Sequence, residues 1–583
     1  MRHQIVLPVL AVIFLAGCGP AGVEHAEAAA TPAPARPGPP VKEFSCGVRQ
    51  EKAPEWAAAQ LAFLDKMTEY HHTFLDKFFD GKLGIPPVKQ ITRHGGCDDD
   101  YAEGVARWDR YLLLRHDERS AKAYVHMWNS IFKERRMPKT NKIWCTGGFD
   151  PEHALELFQL LWGALEVAPA SEKLIGDNRL FADFIIDDFY DPEQKLLKNA
   201  RVLKLGGKFR KGYEGDLIQS TGYINSLFLA YLSTGDEKYR RVAIDYGTKW
   251  NELAADNGGI FPFYVTPDGK IGAGGDKSQF HRAPFRDFDY DKWGMTISAR
   301  AFHAWPLALS YLDRGEAKHA SGLVSTVEKL FEAGGGTLPA TYYRNGKWVR
   351  GKYNWCVPRL LDHAYVATFD PKLAELMKSY RRAAEGAEAN FMRMINSFYF
   401  DTEPLDYAAE IFRAGVGRQE SKIRKVKASK TPRSGDALSS LKPSRWGLDL
   451  IDGAFWGQWD NGRCGGTSPS SIRYYAGEGK PGLPGKVAAL VRGIRKDGLK
   501  VHLYNDADEA TPVILVAGTY GQHRWTSAEH GGGAKLALDG RKVMVTLRAK
   551  SAATVKLGME RCALKPTLTP ERDDAPETPE AQE

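Results

Sequence analysis

Ile224-Asn225-Ser226-Leu227-Phe228-Leu229-Ala230-Tyr231-Leu232, followed by Ser233-Thr234-Gly235-Asp236-Glu237-Lys238, is the stretch that decides the fold. Its apolar residues cover more than one face of a helix, so that helix is buried on several sides. Gly235 supplies a stop and Asp236 a start for the next helix. From Lys238 to Leu253 apolar and charged positions mix, as they do on a helix with one wet face. A buried helix, a short polar turn and an amphipathic helix make one αα-hairpin.

The unit recurs along the chain. Further turns lie at Arg115-His116-Asp117-Glu118-Arg119, Pro169-Ala170-Ser171, Asp313-Arg314-Gly315-Glu316 and Asp370-Pro371. Each puts Gly, Asp, Ser or Pro at a helix boundary. Trp293 to Leu312 followed by Lys318 to Phe331 repeats the contrast of buried and amphipathic helix. Five hairpins are readable within residues 52–415. A helix from Pro54 to Phe79 either pairs with the Leu373–Phe391 stretch or completes a sixth hairpin. No polar capping repeat stands out, so the expected fold is mainly α, an (α/α)5–6 toroid of helical hairpins rather than an open solenoid.

Longer connections, at about 80–97, 136–150, 200–213, 256–292 and 334–354, alternate with the short turns. Two of them hold expected β-hairpins: 263–271 around Asp268-Gly269, and 342–349 around Asn345-Gly346. In a ring of αα-hairpins the short turns fall on one face and the long connections on the other.

Beyond about residue 445 the apolar period shifts to that of strands. Val501 to Tyr504, Pro512 to Val516, Ala534 to Leu538 and Val543 to Leu547 alternate or run β-branched. A small antiparallel β-sandwich is expected over 445–563. Between Arg418 and Arg445 stand nine Lys and Arg against two acids, which reads as a solvated basic linker over 416–444. Residues 564–583 read as a disordered acidic tail. The net charge of +8 is therefore mostly local to the linker. No basic stripe with stacking aromatics accompanies it, so nucleic-acid binding is not supported.

The start of the chain addresses it outside the cytoplasm. Arg2 and His3 precede an apolar run from Ile5 to Leu15, and Leu15-Ala16-Gly17-Cys18 follows. The run is too short to span a bilayer, which takes about 20 apolar residues, and reads as an export signal over 1–17. Its ending resembles a lipobox, which implies lipidation of Cys18 and tethering to a membrane. Gly19, rather than Asp, favours the outer membrane over the inner by the same resemblance. Residues 18–51, rich in Ala and Pro, are expected to form a spacer. Six cysteines remain, enough for up to three disulfides in an oxidising compartment. Cys464–Cys562 and Cys97–Cys145 are the expected pairs, with buried free thiols the alternative.

Reactive side chains gather where long connections meet helix starts, the places that carry unpaired N–H groups. The junctions are Arg93-His94-Gly95-Gly96-Cys97-Asp98-Asp99-Asp100, Trp144 to His153, Lys211 to Asp216, Phe285 to Gly294, and Gly351 to Trp355. Asp98, Asp150 and Asp291 would serve equally as N-caps, and Asp99, Asp100, Glu152 and Glu214 would complement helix dipoles. Three consecutive Asp exceed what one cap needs.

Asp98, Asp99, Asp150, Glu152 and His153 are thus the candidate catalytic residues. His94, Trp144, Tyr213, Glu214, Trp293, Tyr353 and Trp355 are the candidate substrate contacts. Aromatic faces stack on the C–H surfaces of sugars, and paired carboxylates run glycoside hydrolysis. A Tyr or His beside Arg would instead remove a proton next to a uronate carboxylate. The Asp98–Asp100 run is also a candidate calcium site. Ser220 and Gly222 lie close in sequence, but no GxSxG elbow is present.

A helical-hairpin ring followed by a small β-domain resembles the (α/α)-toroid glycoside hydrolases and polysaccharide lyases over 52–563, at the level of layout. That resemblance implies a glycan substrate. Hydrolysis comes first because carboxylates outnumber base–cation pairs. The alternatives are β-elimination on a uronate glycan and a non-catalytic glycan-binding lipoprotein.

Overall fold

The structure is a computed structural model that describes residues 41–79, 102, 105, 108–137, 142–143, 151–198, 215–262, 264–271, 305–340, 342–344, 347–349, 356–430, 438, 440–442, 470–531, 533 and 535–572. Two short strands come first, β1 (Glu43–Cys46) and β2 (Val48–Arg49). Next come α1 (Glu55–Phe78), then α2 (Trp108–Leu114) turning into α3 (Glu118–Arg135). The following hairpins are α4 (Pro151–Val167) with α5 (Glu172–Phe184), and α6 (Ile224–Thr234) with α7 (Glu237–Asp256). Then come α8 (Trp305–Leu312) with α9 (Ser321–Ala333), and α10 (Cys356–Thr368) with α11 (Pro371–Ala383). The last pair is α12 (Gly386–Phe400) and α13 (Leu405–Ala428).

The turn chemistry acts as the residues dictate. Every residue from Ile224 to Tyr231 is buried, and α6 ends where Gly235 takes φ +69° and its N–H bonds to Tyr231 O at 2.8 Å. Only glycine adopts that left-handed cap at no steric cost. Asp236 then caps α7 through Lys238 N at 3.0 Å. Ser171 and Asp370 cap α5 and α11 through Leu174 N and Lys372 N. Such caps contribute roughly 0.5–2 kcal/mol each.

The first helices of the hairpins pack in chain order: α2 on α4, α4 on α6, α6 on α8, α8 on α10, α10 on α12. Second helices fill the grooves between them. Helix α1 packs on both α13 and α3, so the first helix joins the last to the first hairpin. Its expected partner, the 373–391 stretch, is not the one it takes. Leu373, Ala374 and Met377 of α11 are buried, and that helix packs on α10 and α12 instead.

Two sheets make the β-domain. Counting on from the short strands among the helices, β3 (Arg136–Met137), β4 (Lys142–Ile143), β5 (Tyr190–Asp191), β6 (Leu196–Leu197), β7 (Asp216–Leu217), β8 (Tyr264–Val265), β9 (Tyr342–Arg344) and β10 (Lys347–Val349), its strands are β11 (Ile472–Gly477), β12 (Lys480–Pro481), β13 (Val487–Arg495), β14 (Gly498–Asn505), β15 (Thr511–Ala517), β16 (Arg524–His530), β17 (Leu536–Gly540), β18 (Lys542–Leu547) and β19 (Ser551–Glu560). One sheet has the order β1-β18-β15-β11-β12, the other β13-β14-β19-β16-β17 with β2 beside β19. Pairing is antiparallel except for β1 on β18. Trp525 Nε1 reaches across to Leu515 O at 3.0 Å, joining the two layers. Of the expected small hairpins, Tyr343 pairs with Trp348 around Asn345-Gly346, and Thr266 N bonds Lys270 O around Gly269, whose φ is +79°.

Four expectations are corrected here. Residues 43–49 are strands of the β-domain rather than spacer, because Phe44 stacks on His530 at 5.0 Å and Cys46 is buried. The basic stretch is helical as far as Ala428, since Gln419, Ile423 and Val426 recur at helical spacing against α1 while the bases face out. The chain packs as far as Arg572, with Leu568 and Glu571 buried and Thr567 N bonded to Tyr520 O. Cys562 is a free thiol, as is Cys46, which removes the expected Cys464–Cys562 bridge. Apolar surroundings favour the neutral thiol there: burial pushes Cys562 up to about 11.

The β-domain sits on the short-turn ends of the helices. Leu483 N bonds Leu114 O at 2.6 Å, at the last residue of α2. At the end of α4, Glu166 accepts from Tyr520 Oη at 2.7 Å and its carbonyl from Arg473 at 2.6 Å. Tyr520 also meets Phe228 of α6, His523 meets Tyr311 of α8, and Arg561 lies over Phe369 after α10. Arg492 and Lys500 take Asp401, after α12. All but the Phe228 contact fall at or beyond the C-terminal half of a first helix. The opposite ends, fed by the long connections, are left to the rest of the chain.

Candidate functional site

Those opposite ends are where the sequence put its candidate residues. Glu152 and His153 occupy the first turn of α4. That turn lies beside the 3-10 segment Ile218–Tyr223, which leads into α6. A methyl group at Gly222 would come within 2.8 Å of Leu155. Asp150 directly precedes α4 and lies outside the described residues. So do His94, Asp98, Asp99, Asp100, Trp144, Tyr213, Glu214, Trp293, Tyr353, Trp355 and Cys18. Among the described residues no group of three or more His, Cys, Asp and Glu is disposed to hold a metal, and no helix is long and apolar enough to cross a membrane.

Along their length the helices bury polar groups that the sequence reading passed over. Arg359, Asp362 and His363 sit on α10 at helical spacings of three and four, which puts them on one side of the helix. They are 6%, 0% and 2% exposed, so they belong to the interior rather than to a wet face. Asp362 accepts from Tyr399 Oη of α12 at 2.5 Å. Burial, and then the charge of Asp362, hold the Tyr399 phenol well above the usual range, so Tyr399 stays protonated and donates. On α2, Asp109 and Arg110 pair at 3.3 Å in almost complete burial. Gly163 of α4 lets them close in: a Cβ there would lie 2.7 Å from Tyr124 Oη and 2.9 Å from Asp109 Cβ.

Gln219, just before α6, is buried with neither its amide N nor its amide O bonded. An unmet buried amide costs about 1–3 kcal/mol, which a bound polar group or water would offset. Asp216, at the head of the same segment, takes Leu197 N at 2.9 Å and Tyr246 Oη at 3.3 Å. Burial nevertheless pushes its carboxyl up to about 8, so it is mostly protonated at neutral pH. It walls a small pocket with Asp191, Gln194, Lys198, Thr266 and Pro267. Gly215 precedes it because any Cβ there would meet the Tyr264 ring at 2.1 Å.

The signal for these residues was present in the sequence. Val357-Pro358-Arg359-Leu360-Leu361-Asp362-His363-Ala364 and Trp108-Asp109-Arg110-Tyr111-Leu112 place charges inside otherwise apolar helices. Charges that cannot reach water need partners or a purpose. The loop junctions, denser in acids, drew attention away from them.

No family model and no curated protein sequence matches the chain. Solved structures that resemble it include a D-mannose isomerase, at 14% identity and a TM-score of 0.38, covering 57% of this chain and 87% of that one. Another is the apo structure of a beta-1,3-1,4-glucanase from Paenibacillus sp.X4, at 11% identity and a TM-score of 0.36, covering 71% of this chain and 96% of that one. Likeness of this degree says nothing of what this chain acts on.

Proposed function

We propose that the chain is an extracytoplasmic enzyme, lipid-anchored through Cys18 at the outer membrane or its periplasmic face, that cleaves a polysaccharide or oligosaccharide. The site lies at the helix ends remote from the β-domain, inside an (α/α) toroid that α1 closes against α13 and α3. One observation carries the reading. The β-domain covers the short-turn ends, so the buried polar groups at the starts of α6 and α10, Gln219 and Arg359, have an interior to serve.

In this reading Glu152 and one of Asp98, Asp99 or Asp150 form the carboxyl pair. One protonates the leaving oxygen and the other activates water or attacks the sugar, their separation setting the stereochemistry. His153 shares the proton work. Trp144, Tyr213, Trp293, Tyr353 and Trp355 stack on sugar rings, and His94 and Glu214 bind hydroxyls. A calcium ion at Asp98–Asp100 would order that loop.

The second reading, β-elimination on a uronate, draws support from Arg359 beside His363, a cation and a base on one side of α10. The assay is release of ends from a panel of glycans by the wild-type chain, Glu152→Gln and Asp99→Asn. Hydrolysis leaves new reducing ends alone, and elimination adds a UV-absorbing unsaturated end. The carboxyl variants should lose about 10²- to 10⁴-fold in rate while still retaining glycan. Retention without any turnover by the wild type would leave a glycan-binding lipoprotein. Neither retention nor turnover would end the glycan reading altogether.

A further inference from the structure

The basic stretch after Arg418 is part of a helix, and its position can be followed. Helices α1 and α13 run side by side in the same direction. Glu55 meets Arg413 at 2.7 Å, Lys66 meets Glu420 at 3.8 Å, and Lys77 Nζ donates to Lys427 O. Helix α1 runs opposite to α2. Asp65 takes Arg115 just past the end of α2, Thr68 meets Tyr111, and Phe74 and His71 pack on Trp108 at the start of α2. The end of α13 therefore lies alongside the start of α2, away from the β-domain. In the sequence, that start follows the Asp98–Asp100 run within ten residues.

There the bases crowd together. Arg424, Lys425, Lys427 and Lys430 are all exposed. Among the described residues neither Arg424 nor Lys430 has an ion-pair partner, and Lys427 reaches Glu69 only at 3.8 Å. Lys422 and Lys425 both donate to the one carbonyl of Ser440. The acids facing the stretch are Glu69 and Glu420, and Lys66 engages both of them. Half-buried Lys422 is held below the usual lysine range, by burial first and then by Lys425 and Lys442. This is a surface short of negative charge.

We infer that the basic end of α13 is a docking rim for the carboxylates of a uronate polysaccharide, beside the mouth of the proposed site. The inference rests on that site reading and narrows its substrate to an anionic glycan. An anionic membrane surface is the competing partner. The rim is set apart from it by lying at the end of the molecule away from β1, where the spacer after Cys18 joins.

The test uses the full chain carrying Cys18→Ser, so that no lipid interferes, on immobilised polygalacturonate, on neutral dextran, and with phosphatidylglycerol vesicles. Retention on polygalacturonate alone, weakening with salt, is expected. Arg424→Gln/Lys430→Gln, which removes only unpaired charges, should bind about three- to tenfold more weakly with an unchanged melting temperature. Equal retention by the variant overturns the inference, and so does capture by vesicles but not by polygalacturonate. The two readings fail separately. Cleavage of a neutral glycan with no hold on polygalacturonate sinks the rim alone, whereas retention without cleavage sinks the enzyme and leaves the rim.

Discussion

His71 is the side chain most at odds with its surroundings. It is fully buried, stacked on Trp108 at 4.1 Å and edge-on to Tyr111 at 4.7 Å, and neither ring nitrogen has a partner. Burial holds it down to about 3, with Asp117 pulling the other way and His72 adding to the shift. The folded pKa lies below the unfolded value of 6.5, so between those limits the unfolded chain binds more protons. The stability that neutral His71 allows is full above pH 6.5 and is lost as pH falls toward 3. His71→Phe keeps the ring stack and removes the titration. Thermal melts from pH 7 to pH 4 should then show a shallower acid limb for the variant. His502, held down to about 4, His523, His319 and low-held carboxyls such as Asp313 and Glu403 add to the slope, while Asp216, pushed up to about 8, opposes it. An unchanged limb would show that His71 is protonated in the folded state. The helix from Pro54 to Phe79 was legible in the sequence, but which of two adjacent histidines turns inward depends on a helix phase that only the packing of α2 fixes.

Hairpin turns were the most legible elements, because Gly235, Asp236, Ser171 and Asp370 act locally. What escaped were elements whose partners are remote. Val48-Arg49 and Glu43–Cys46 look like spacer until β19 and β18, some 500 residues later, offer them edges. Likewise the part of α13 from residue 416 onward reads as linker by its charge, although Gln419, Ile423 and Val426 carry a helical spacing. The two N-terminal strands bear on stability. Residues 43–46 cover the edge of β18 and bury Cys46, and Gln50 N bonds Lys550 O at 2.8 Å. A chain starting at residue 42 should melt with the full-length protein, whereas one starting at residue 51 should lose several kcal/mol, as edge pairing and burial are removed together. Matching melting curves for both truncations would mean that these strands only decorate the sheets.

At the scale of the whole molecule, a β-domain is laid across one set of helix ends, and the proposed function puts the working face at the other set. Part of that division was legible: short turns and long connections alternate in the sequence. The closing of one face was not, because Tyr520, Arg473 and His523 give no local hint that they dock on Glu166 and Tyr311. Gln219 and Arg359, buried at the starts of α6 and α10, lie at the ends that the long connections feed. Hydrogen exchange on the full chain, with and without an oligosaccharide that it retains, addresses this most directly. Protection should appear in peptides spanning 93–110, 144–155, 213–223 and 351–363, with the β-domain strands from 472 to 560 unchanged. Protection confined to those strands would put the ligand on the face assigned here to packing and contradict the account.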